Sequence, residues 1–154
     1  MSLPYNRDYY RENMNYWWNK KESRYETKEE YKTKKNIAKD KKEKLEQLQA
    51  DCEAIVTVLN QISSSLSSTA GYLENVRVSG PPYDEGVLSN NATTLNTMSE
   101  NFSQLANKCK INAIVQNSNF NYYNDKQAEY ANLYGNAKSN YNYYYNRYWY
   151  YDSY

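Results

Sequence analysis

Cys52 and Cys109 are the sharpest chemical signal in this chain of 154 residues. They stand 57 positions apart, far beyond the C-x-x-C spacing of zinc or thioredoxin-like chemistry. Two readings stay open. Joined as a disulfide, they would close a loop worth about 4 kcal/mol in the chain-entropy picture. Left as thiols, they are two small core residues. Histidine is absent, which removes the commonest general base and the commonest metal ligand. Carboxylates adjoin at Glu29/Glu30 and Asp84/Glu85, but on a charged helix face and at a turn, where nothing raises a pKa for acid–base work. The expectation is a protein that is not an enzyme and holds no metal and no cofactor. Twenty tyrosines exceed any ordinary core need. They suit an aromatic end for assembly, oxidative cross-linking, stacking on bases or sugars, or packing on one another.

The elements that must position these residues are helical. Leu45, Leu48, Cys52, Ile55, Leu59, Ile62, Leu66, Thr69, Leu73 and Val76 recur at alternating steps of three and four, the heptad seam of an α-helix. A second seam follows at Leu88, Leu95, Met98, Phe102, Leu105 and Cys109. Between them Ser79-Gly80-Pro81-Pro82 ends the first helix, with Gly80 suited to the left-handed C′ position. Asp84 is a good N-cap for the second helix, and Tyr83 with Leu88 makes a hydrophobic staple. The predicted fold is therefore all-α: one antiparallel two-helix hairpin, with helix one over 5–76, a turn over 77–83 and helix two over 84–140. In this register Leu73 meets Leu88, Leu66 meets Leu95, Ile62 meets Met98, Leu59 meets Phe102, Ile55 meets Leu105 and Cys52 meets Cys109.

Pro4 suits the first helical position, with Ser2 or Leu3 at the cap. No glycine or proline follows until Gly71, so an aromatic stretch (Tyr5 to Trp18) and a charged stretch (Lys20 to Lys44) continue the same helix. Residues 141–154 are rich in tyrosine and asparagine and read as a helical extension or a tail. The fold-back sets Tyr31 beside Tyr130, Trp17 beside Tyr144, Asn13 beside Tyr148 and Tyr10 beside Tyr151, bringing the two aromatic stretches together.

A mean hydropathy of −1.10 leaves little apolar surface for a thick core. Net charge is +1, and the aromatic ends carry little positive charge, so no nucleic-acid partner is expected. No apolar run approaches the ~20 residues of a transmembrane segment. Val56, Val58, Ile111, Ile114 and Val115 fall off the two seams. Either a stutter rotates the second seam near Ile111, or these residues face a further helical partner or a second copy.

A mostly helical hairpin of this size resembles the small proteins of Gram-positive type VII (ESX-like) secretion systems, particularly the helical partners of LXG-type toxins. The likeness covers residues 36–140 as architecture. Tyr148-Trp-Tyr-Tyr-Asp152 matches that family's Tyr-x-x-x-Asp/Glu export pattern on a C-terminal helix, while Ser79-Gly80-Pro81-Pro82 stands where better-known members carry a Trp-x-Gly turn. The start Met-Ser-Leu-Pro-Tyr-Asn has no signal-peptide h-region, so the expectation is synthesis in the cytoplasm without a signal peptide, and the resemblance implies a helical adaptor then exported or placed at the cell surface, with Tyr148 and Asp152 as its export signal. The competing expectation is a structural subunit held together by Tyr-rich helix ends.

Overall fold

A computed structural model describes residues 5–76 and 85–152. Two helices, α1 (Arg7–Val76) and α2 (Glu85–Asp152), make an all-α hairpin. The turn over 77–83, Gly80, Tyr83 and Asp84 lie outside the described residues, as do Ser2, Leu3 and Pro4. α1 begins two residues later than expected and is capped by Asn6, whose Oδ1 accepts the Tyr9 N–H at 2.9 Å. Asp8 in the first turn complements the helix dipole. α2 does not stop near 140: the Tyr-rich stretch stays helical to Asp152.

The chain divides into two units, Met1–Lys39 with Asn117–Tyr154 (unit 1) and Asp40–Gln116 (unit 2). In unit 2 one seam position carries Leu45, Cys52, Leu59, Leu66 and Leu73 of α1 and Leu88, Leu95, Phe102, Cys109 and Gln116 of α2, all buried or half-buried. These correspond to heptad position d. The alternate position, a, holds Gln49, Val56, Ser63 and Ala70 of α1 and Ala92, Ser99, Ala106 and Ala113 of α2. Leu48, Ile55, Ile62, Met98 and Leu105, expected on the seam, sit one residue away from it and are 39–45% exposed. The reason is steric. A column of alanine and serine lets the two backbones approach and bury the leucines of the other column, whereas Ile and Leu there would hold the helices apart.

The layers are also shifted by about one turn. Ser63 Oγ donates to Asn96 Oδ1 at 2.7 Å and lies 3.1 Å from the Ala92 carbonyl oxygen. Ser99 Oγ donates to Asn60 Oδ1 at 2.7 Å. Ser63 is therefore level with Leu95 and Ser99 with Leu59, so each layer joins an a residue to a d residue. Cys52 falls level with Ala106 and Cys109 with Gln49, in successive layers rather than in one. No stutter is needed near Ile111, because Ala113 and Gln116 keep the heptad phase.

In unit 1 the seam is aromatic and cationic. Tyr10 is 1% exposed and Ala137 0%. Tyr31 lies 5.6 Å from Tyr130 and 6.1 Å from Tyr123, ring centre to ring centre. Tyr10 lies 5.8 Å from Tyr151 and 6.3 Å from Tyr144. Each ring thus enters a gap between two residues seven apart on α2, the knob-into-hole geometry of a coiled coil. Lys21 reaches over Trp18 at 3.7 Å and Tyr141 at 5.2 Å, and Lys28 repeats this a heptad later over Tyr25 at 4.6 Å and Tyr134 at 5.2 Å. The lysine stems bury while their ammonium groups rest on ring faces. Arg24 donates to the Leu133 carbonyl at 3.0 Å. The tyrosines of this unit pack on one another and on cations.

Candidate protein-binding surface

Unit 2 has two unlike flanks. Residues that follow a d position in each helix, Glu53 and Asn60 of α1 and Asn96, Ser103 and Lys110 of α2, share one flank, since the Ser63–Asn96 and Ser99–Asn60 bonds tie that side together. A shallow groove on it is lined by Gln49, Glu53, Val56, Ser103, Ala106, Asn107 and Lys110. This flank is polar. Residues that precede an a position must then share the other flank; Leu48, Ile55 and Ile62 with Met98 and Leu105 form its apolar middle, and the exposed Thr69, which was also expected on the seam, Asn91 and Asn112 lie beyond them. Ile55 and Leu105 stand at nearly one level, and so do Ile62 and Met98. Val58 borders the stripe at 52% exposure.

Leu48, Ile55, Val58 and Ile62 form a second heptad-spaced seam on α1, beside the one that faces α2. A helix with two adjacent apolar seams packs fully only when a further helix covers the second. The helices that hold this stripe are continuous and hydrogen-bonded along their length, so its side chains are presented on a rigid support.

The residues singled out from the sequence separate on this frame. Val56 belongs to the internal seam and the polar groove, so it is not an outward contact. Val58 borders the apolar flank. Ile111, Ile114 and Val115 do face outward, at 53%, 60% and 49% exposure, which favours an outward surface over a stutter. Cys52 and Cys109 are buried free thiols. Burial pushes the Cys52 thiol above its ordinary pKa, with Cys109, Asp51 and Glu53 adding to the effect. Tyr148 is half-buried and held by Arg7, which donates to its hydroxyl at 3.0 Å and lies 4.9 Å from its ring centre. The side chain of Asp152 lies outside the described residues.

The flank of Leu48, Ile55, Ile62, Met98 and Leu105 was hidden by its own apolarity, which assigned these residues to the seam. The signal that separates them is the column Ala92, Ser99, Ala106 and Ala113 at intervals of seven, which runs on into Phe120 and Tyr134, whereas the phase of Met98 and Leu105 runs on into Asn112 and Asn119. Among the described residues no group of three or more Cys, Asp or Glu is placed to hold a metal ion, and no helix is long and apolar enough to cross a membrane. No protein family, characterised protein or solved structure matches the chain.

Proposed function

We propose that this protein is a non-enzymatic helical adaptor, a coiled coil whose work is to pack another helical chain along one flank. The observation that carries the reading is the stripe of Leu48, Ile55, Ile62, Met98 and Leu105, half-exposed on a rigid support beside a polar opposite face. Covering such side chains contributes about 25 cal/mol per Å² of apolar surface. A type VII-like export system is the setting that the Tyr148…Asp152 pattern supports.

Photo-crosslinking in the native cell tests the docking surface. A photoreactive residue at Ile62 should join the protein to another polypeptide, while the same residue at Ser67 on the polar flank should not. Equal adducts from both positions, or none from Ile62, would remove the surface from consideration. Export is tested separately, by comparing cell and medium fractions with and without Asp152→Ala. Unchanged release would exclude that residue as a signal.

A second reading, assembly through the Tyr-rich ends, draws on the exposure of Tyr16, Trp18, Tyr143 and Tyr145 in unit 1. It ranks below the first because these rings already make edge-on or tilted contacts with neighbouring rings within the hairpin.

A further inference from the structure

We infer that the apolar flank of unit 2 is covered by the same flank of a second copy of this chain, turned end for end. The inference rests on the docking reading above and names the occupant. Its ground is self-complementarity. A two-fold contact presents one patch to itself, so whatever lies above the axis must fit whatever lies below it.

The middle of the flank meets that condition about Val58, while Leu48 at its end falls level with Thr69 of the second copy. The pair Ile55 with Leu105 lies on one side of Val58, and the pair Ile62 with Met98 lies on the other at a similar distance. End-for-end rotation about an axis through Val58 sets Ile55 and Leu105 of one copy level with the second copy's Ile62 and Met98. Two layers of four apolar side chains result, one on each side of the axis. On the axis the two Val58 side chains meet each other. The same rotation brings Tyr72, 65% exposed, level with Lys44 of the second copy, a cation near a ring face. α1 lies antiparallel to the second α1, so their dipoles oppose.

Rotation about an axis along the helices is the competing arrangement. It would set Val58 against the second copy's Asn101 and leave Tyr72 without a cationic neighbour among the described residues. An unrelated helix could fill the groove between α1 and α2, but nothing would then require the stripe to match itself about Val58.

Cross-linking the full-length chain through Val58→Cys decides the matter. On the axis this cysteine faces its own copy, so mild oxidation of the purified variant should give a covalent dimer. Asp51→Cys and Lys108→Cys, on the same flank but off the axis, should give little. Light scattering of the unmodified protein should report a dimer. Paired Ile55→Lys and Ile62→Lys changes should raise its dissociation constant at least a hundredfold while circular dichroism keeps its helical signal.

Monomer at every concentration, together with an Ile62 photo-adduct to a different polypeptide, would overturn the second copy and leave the docking surface standing. A dimer that survives the paired lysine changes would overturn the inference and take with it the support for docking on this flank. A dimer whose strongest cross-link comes from Asp51→Cys or Lys108→Cys would overturn the end-for-end arrangement.

Discussion

At the scale of single residues, the internal seam of unit 2 is governed by size rather than by hydrophobicity. Ser63 and Ser99 are buried and satisfied, each bonded to an asparagine of the opposite helix. Ser63→Leu would make the apolar pattern more regular, yet it overfills a layer built for a small residue. Urea titration should show a loss of about 1–3 kcal/mol. A gain would mean that the layer has room to spare. Titration belongs at this scale too. Burial raises the pKa of Cys52 and of Tyr10, and a hydrogen bond with Tyr9, followed by burial, raises that of Tyr144. Each of these groups is neutral when protonated, and the folded state keeps the proton to higher pH than the unfolded chain does. Stability is therefore full below the ordinary thiol and phenol values and falls as pH rises through them. The urea midpoint should decline from about pH 8.5 upward, the region where free thiols and then phenols ionise. Cys52→Ser should remove the earliest part of that decline, and an unchanged profile would show that the thiol is not linked to folding.

At the scale of the element, helix content and direction were legible in the sequence because they depend on spacing alone. The two heptad patterns, the absence of glycine and proline before Gly71 and the Gly80-Pro81-Pro82 break were enough to predict two helices folding back on each other. The phase of half the seam was not legible, because Ile62 and Ser63 compete for the inner position and apolarity favours the wrong one. Only the opposing helix, with Ala92, Ser99, Ala106 and Ala113, settles which fits. The layer offset was hidden for a related reason, since pairing like with like gives a tidy match that interlocking side chains do not obey. The N-terminal cap was misplaced because Pro4 and Asn6 both suit a helix start and lie two residues apart. The apolar flank was visible only as misplaced core. Continuity of α2 offers a test of its own. Gly135 is exposed within the helix, and a Cβ added there would meet nothing within 4 Å. Gly135→Ala should stabilise by about 0.5–1 kcal/mol through the lost flexibility of the unfolded chain. A destabilised variant would show that α2 bends or opens at that point.

At the scale of the whole molecule, the seam has to offset the ordering of 70 residues in α1 and 68 in α2. Backbone ordering costs about 1–2 kcal/mol per residue, and side chains such as Ile55 and Ile62 remain half in water. Covering the flank therefore adds stability in proportion to how much of the protein is associated. If folding and dimer formation are linked, a tenfold rise in protein concentration favours the folded dimer by about 1.4 kcal/mol. For a chain of this size that corresponds to a rise of a few degrees in the melting temperature. Calorimetry over a hundredfold range of concentration should show this rise. Ile62→Lys, which places a charge in one of the four-residue layers, should flatten the dependence while its far-UV signal at low temperature stays helical. A melting temperature independent of concentration in the unmodified protein would mean that the hairpin is stable alone, and that any partner on its flank contributes to recognition rather than to folding.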